Sequence, residues 1–177
     1  EQGAGNDTPA STRQLVDMDH PPRYESLPVV TSIDFSSDGQ WLAVSGYHEV
    51  LIHKSDGSAL VSRLVGLSER IESAVFSPDA SLLAVTGGSP GRMGELQVWD
   101  VERVELQLSL TITYDTIYGA SWSPDGQSIA LGCSDQTVRV IDLNTESQIL
   151  YSRAHTDWVL DTVFSAEGDR VVSVGRD

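Results

Sequence analysis

Basic residues are scarce in this sequence: Lys and Arg number 11 against 26 Asp and Glu in 177 residues, a formal net charge of −15. Nucleic-acid affinity depends on Lys and Arg displacing condensed counterions, so this surface argues against nucleic acid as a partner. Anionic membranes repel it for the same reason. Cysteine is nearly missing. Cys133 stands alone, so neither an intramolecular disulfide nor a cysteine-rich zinc site is expected. Cysteine usage leaves the compartment open, since a cytosolic chain and a large exported domain both read this way. No apolar run approaches the ~18 residues of a membrane span. Glu1 to Thr12 carry neither a basic start nor an apolar stretch and do not read as a signal peptide. An initiator Met is absent as well, so the chain is expected to belong to something longer. Helical periods of ten to fifteen residues are also wanting, which excludes a parallel α/β fold.

What is present is a repeat. Residues 1–27 show no hydrophobic period and read as a linker or N-terminal extension, with GAGNDTPAST and the pair Pro21-Pro22 as its markers. From residue 28 four segments align: VVTSIDFSSDGQWLAVSG, IESAVFSPDASLLAVTGG, IYGASWSPDGQSIALGCS and VLDTVFSAEGDRVVSVGR. Their aromatic anchors Phe35, Phe76, Trp122 and Phe164 recur at spacings of 41, 46 and 42 residues. A period of about 40 to 45 residues belongs to four-stranded propeller blades. After each of the first three anchors comes a turn built on Asp38 and Gly39, on Asp79, or on Asp125 and Gly126. Asp bonds its own backbone there and Gly takes the site of positive φ. The remaining strands are expected at 41–44, 49–52 and 60–64, then at 82–85, 95–99 and 105–110, then at 129–131, 137–141 and 148–153. The fourth strand of each unit is the most polar, as suits an edge facing water. The expected architecture is all-β, with about three and a half four-stranded antiparallel blades over 28–70, 71–116, 117–158 and, truncated, 159–177.

Leu96-Gln-Val-Trp-Asp100, Val138-Arg-Val-Ile-Asp142 and Ala154-His155 resemble the signature positions of the WD40-repeat family. The resemblance covers about Val29 to Asp177 and implies a WD40 β-propeller. In that family a His, a Ser or Thr, an Asp and a Trp form a structural hydrogen-bond tetrad in each blade. By that resemblance His155, Ser173 and Asp177 are tetrad members in the fourth unit. Asp135 is the member left in the third unit and Trp99 in the second, where Leu67 replaces the His. Most blades are therefore expected to rest on apolar packing in its place. The loop segments GYHEVLIH, GLSERIESAVFSPD, GGSPGRMGELQVWD, TYDTIYGASWSPDG and AHTDWV also resemble the WD40 segment of large bacterial proteins in which a c-type cytochrome domain precedes the propeller. The haem-attachment pattern Cys-x-x-Cys-His is missing, so any haem domain is expected upstream. That resemblance implies a periplasmic or cell-envelope location.

The candidate chemistry is thin. Asp38, Asp79 and Asp125 read as turn residues, each in a different blade. His48 and His53 lie five apart, which puts them on opposite faces of a regular strand, so no metal is assigned. No Gly-x-Ser-x-Gly elbow occurs, and Gly87 to Gly94 lacks the helix and Lys of a phosphate loop. No catalytic residue and no cofactor are assigned. Cys133 reads as a small buried hydrophobe. The resemblance places the loops that join the second strand to the third, and one blade to the next, on one face. Those loops carry Tyr47, His48, Arg70, Tyr114, Asp115, Tyr118, Asp157 and Trp158. Aromatic residues and Arg anchor interfaces. They either contact a partner or cover the end of the central channel. The five extra residues of the second unit are expected in one of these loops, around 89–94. The function expected is a non-catalytic scaffold for another protein or for other domains of the same polypeptide. The alternative is an accessory domain of a cytochrome-containing oxidoreductase.

Overall fold

The computed structural model describes residues 29–66 and 68–177, so the reading of 1–27 as a linker and of Leu67 as a lost tetrad position lies outside the described residues. Fourteen strands and no helix occur among them. β1 (Ile33–Phe35), β2 (Trp41–Ser45), β3 (Glu49–Lys54) and β4 (Leu60–Val65) form the first antiparallel sheet. β5 (Arg70–Phe76), β6 (Leu82–Ser89), β7 (Met93–Asp100) and β8 (Glu105–Thr113) form the second. β9 (Ile117–Trp122), β10 (Ser128–Cys133), β11 (Val138–Asp142) and β12 (Ser147–Ser152) form the third. β13 (Val159–Phe164) and β14 (Val171–Gly175) pair as a two-stranded fourth sheet. The all-β reading and its meandering strand order hold.

The hairpins follow from the turn chemistry. Ser36, Ser77 and Ser123 donate their hydroxyls to Asp38, Asp79 and Asp125 at 2.5–2.6 Å. Those bonds hold all three carboxyls below their ordinary pKa. Gly39 and Gly126 take φ of +70°. Ala80, at φ +64°, occupies the same corner without the freedom of glycine.

Successive sheets pack through their first strands, β1 on β5, β5 on β9 and β9 on β13. Two apolar clusters fill the joints: Ile52, Leu64, Phe76, Leu83 and Trp99 between the first and second sheets, and Leu96, Ile117, Trp122, Ile129 and Leu131 between the second and third. Polar bonds cross the same joints. The Phe76 amide donates to Asp34 (2.8 Å), the Trp122 indole to the Val75 carbonyl (2.9 Å) and the Thr162 hydroxyl to the Ala130 carbonyl (3.1 Å). At Gly119 a Cβ would stand 2.5 Å from Asp161 Cα, so only glycine lets β9 and β13 approach this closely.

Two expectations are corrected. The extra residues of the second unit lie at the β6–β7 connection, but they do not make a loop over 89–94. β6 and β7 stay paired out to Ser89 opposite Met93, so the insertion lengthens the hairpin and leaves a tight turn at 90–92. Nor do blades without the tetrad rest on apolar packing alone. Glu95, Gln97 and Trp99 alternate onto one face of β7. The Trp99 indole donates to Gln97 Oε1, the Gln97 amide to Glu95 Oε1, and the Ser68 hydroxyl to Glu95 Oε2, each at 2.9 Å. Ser109 adds a fourth bond, to Glu95 Oε1 at 2.8 Å. Trp99 thus joins a Gln–Glu ladder and Asp135 an Arg139–Thr137 cluster, not the tetrad of the family. Equivalent positions of β3 and β11 carry related networks: Arg63 pairs with buried Glu49, and Arg139 with Asp135. In the fourth sheet His155 lies 2.8 Å from both Ser173 Oγ and Asp177 Oδ1. The His155 contact and the Thr156 amide hold the Asp177 carboxyl down at about 2.

A candidate interaction site at the mouth of the arc

The site begins with a repeated irregularity. The pairing of β5 with β6 slips between Ile71 and Ser73, of β9 with β10 between Gly132 and Cys133, and of β13 with β14 between Val159 and Asp161. The residues left over are Glu72, Tyr118 and Leu160, each four positions before its aromatic anchor. A bulge bends the strand and re-aims its extra side chain. The same device thus presents a carboxylate, a phenol and an aliphatic chain at one level of three consecutive sheets.

Glu72 and Tyr118 line a pocket of about 440 Å³ together with Tyr47, Glu69, Arg70, Pro90, Thr116 and Trp158. Its walls come from the β2–β3, β4–β5 and β6–β7 loops and from the segments leading into β9 and β13, so all four sheets or their approaches contribute. Tyr118 stacks on Trp158 with ring centroids 5.4 Å apart, and the Arg176 guanidinium lies 4.7 Å over the Trp158 ring. Arg70 Nε sits 2.9 Å from Glu72 Oε1; the arginine side chain is 59% exposed and the glutamate only 12%. Burial pushes the Glu72 carboxyl above its ordinary pKa, with Arg70 opposing. Burial, then Glu72 and Asp115, push the Tyr118 phenol up.

Of the eight loop residues singled out in the sequence, Tyr47, Arg70, Tyr118 and Trp158 meet at this pocket. Three of the other four support its surroundings. His48 takes φ +63° and its Nδ1 lies 2.7 Å from the Ser68 carbonyl, with the Tyr47 ring edge-on at 4.0 Å. It therefore sits in the turn before β3, while His53 lies within the strand. Asp115 accepts from the amides of Thr116 (2.7 Å) and Gly91 (3.3 Å), tying the approach to β9 to the β6–β7 turn. Asp157 accepts from the Trp158 amide at 2.7 Å. Tyr114 is 70% exposed and stands outside the pocket. Sequence reading missed Glu69, Glu72, Pro90 and Thr116. Glu72 had a usable signal, since it shares its place in the repeat with Tyr118.

Among the described residues no three His, Cys, Asp or Glu side chains are grouped to hold a metal. Cys133 is buried, and burial pushes its thiol up to about 12, which keeps it protonated and unreactive near neutrality. Among the described residues no helix is long and apolar enough to cross a membrane.

Comparison with known proteins agrees with this architecture. The family model "WD domain, G-beta repeat" matches residues 23–60 and 106–142. The human WD repeat and SOCS box-containing protein 1 is 34% identical over 102 residues, covering 56% of this chain and 23% of that protein. The UBP9-binding protein bun62 of Schizosaccharomyces pombe is 28% identical over 107 residues, 58% of this chain and 19% of that one. A WD repeat-containing protein of Synechocystis is 26% identical over 102 residues, 57% of this chain and 28% of that one. The chain thus spans less than a third of the length of these curated relatives. The family match on two stretches, the relatives and four antiparallel sheets at the propeller period are consistent with repeats like those of the WD40 family.

Proposed function

We propose that this chain is a non-catalytic scaffold that docks a protein, or another domain of its own polypeptide, on the face centred on Tyr47, Arg70, Tyr118 and Trp158. One observation carries the reading: a single pocket gathers Tyr47, Arg70, Tyr118 and Trp158 from the first three sheets and the approach to the fourth. Such residues dominate binding energy where they cluster in desolvated sites. The fission-yeast relative is named for binding another protein, which fits a scaffold role. The likeness of the loop sequences to bacterial cytochrome-bearing proteins supports a finer reading. In it, the docked unit is a haem domain of the same polypeptide, in the periplasm or cell envelope.

Photo-crosslinking tests the docking face. Benzoylphenylalanine replaces Tyr114 in one full-length protein and Ile149 in another, positions exposed by 70% and 60%. Partner or interdomain adducts are expected from position 114 and not from position 149 on the outer strand β12. Adducts from 149 alone would overturn the assignment.

A further inference from the structure

We infer that the pocket takes a basic side chain, an arginine for preference, presented by a peptide segment of the docked protein. The inference rests on the docking role proposed above and names what that face recognises.

Charge points this way. The pocket is lined by Glu69 and Glu72 against Arg70, and Asp115 and Asp157 adjoin its lining residues Thr116 and Trp158. Glu72 is the least exposed of the ionic groups in the Arg70–Glu72 pair, placed by the β5 bulge, and its ionic partner Arg70 is largely in water. A carboxylate held out of water gains most from a cation that is desolvated with it. Two further arginines reach this face. Arg92 lies 3.7 Å from Glu69 and Arg176 3.9 Å from Asp157, both long contacts at exposed side chains. Such pairs contribute little, and the whole chain carries −15.

Shape agrees with charge. A guanidinium is planar, stacks on aromatic faces and grips a carboxylate with two parallel donors. The chain already shows the stacking half of this chemistry, in Arg176 over Trp158. Tyr118 and Tyr47 also line the pocket, and about 440 Å³ falls within the range of ligand sites, roughly 300–1,000 Å³. An incoming arginine displaces the exposed Arg70 head group from Glu72 or shares the carboxylate with it.

The test titrates the chain with blocked tripeptides, acetyl-Gly-Arg-Gly-amide and its Gln and Glu counterparts, following the ring signals of Tyr118 and Trp158 by NMR. The Arg peptide is expected to give saturable shifts at both rings, and the Gln peptide at least about tenfold weaker binding, one fully formed charged contact. Glu72→Gln is expected to weaken the Arg peptide to the level of the Gln peptide while keeping or raising the thermal midpoint, because it removes a desolvated charge. Tyr118→Ala is a second variant, expected to weaken the Arg peptide without touching Glu72. Equal binding of Arg and Glu peptides, unchanged binding in Glu72→Gln, or no saturable shift with the Arg peptide would each overturn the inference. Crosslinking from position 114 would still stand in those cases, which separates this failure from failure of the docking role.

Discussion

Trp99→Ala is expected to cost about 3–5 kcal/mol of unfolding free energy in the full-length protein, read from the chemical-denaturation midpoint. Two effects add. The indole is 2% exposed and packs in the joint between the first two sheets with Phe76, Leu83 and Val101, so truncation leaves a cavity there. Its N–H also ends the ladder that runs through Gln97 and Glu95 to Ser68, and its loss strips Gln97 Oε1 of that donor. Trp99→Phe separates the two effects. It keeps most of the packing and loses the donor, so its cost is expected nearer 1–3 kcal/mol. Equal losses for the two variants would show that the ladder, and not the packing, dominates at this position.

Arg139→Ala is expected to be as damaging, again about 3–5 kcal/mol, because it leaves a largely buried carboxylate without its cation. The guanidinium bonds Asp135 Oδ2 at 2.5 Å, Thr137 Oγ1 at 3.0 Å and the Ile112 carbonyl at 2.7 Å. It also lies 5.2 Å from the centre of the Tyr151 ring. Ile112 belongs to β8, so this one side chain ties the second sheet to the third. The double variant Arg139→Met with Asp135→Ala removes both charges and refills the space, and is expected to lose less than Arg139→Ala alone. A double variant no better than the single would mean that the hydrogen bonds lost in both, the one across the joint to Ile112 among them, and not the unpaired Asp135 charge, account for the loss.

The two sites show where sequence reading succeeded and where it stopped. The anchors Phe35, Phe76, Trp122 and Phe164 and the Ser-x-Asp turns are local signals at a fixed period, and they placed the first three sheets and the hairpin of the fourth. The β6–β7 extension was not local, because Gly87, Gly88 and Gly94 look like a flexible loop until the strands are paired. A Cβ on Gly94 would stand 1.9 Å from the Asp115 carbonyl oxygen, so these glycines serve close backbone approach and not looseness. The ladder was half legible. Glu95, Gln97 and Trp99 are spaced by two, which puts them on one face of a strand, but Ser68 and Ser109 join only through the fold. Tyr47, Arg70, Tyr118 and Trp158 were visible because interface-forming residue types gathered around the expected loops of one face, although Arg70 and Tyr118 fall at the starts of β5 and β9 and not in loops. Glu72 was not, since a carboxylate inside a strand looks like an ordinary polar position until the register slips beside it.

Partners are expected to meet this chain at the mouth of the arc and not along its outer strands. Amide hydrogen exchange on the full-length protein, alone and in its native complex or interdomain assembly, measures this directly. Slowed exchange is expected at 46–48, 68–72, 91–92, 114–118 and 157–158, with β4, β8 and β12 unchanged. Slowing confined to β4, β8 and β12, with the loops of the mouth still exchanging freely, would contradict it.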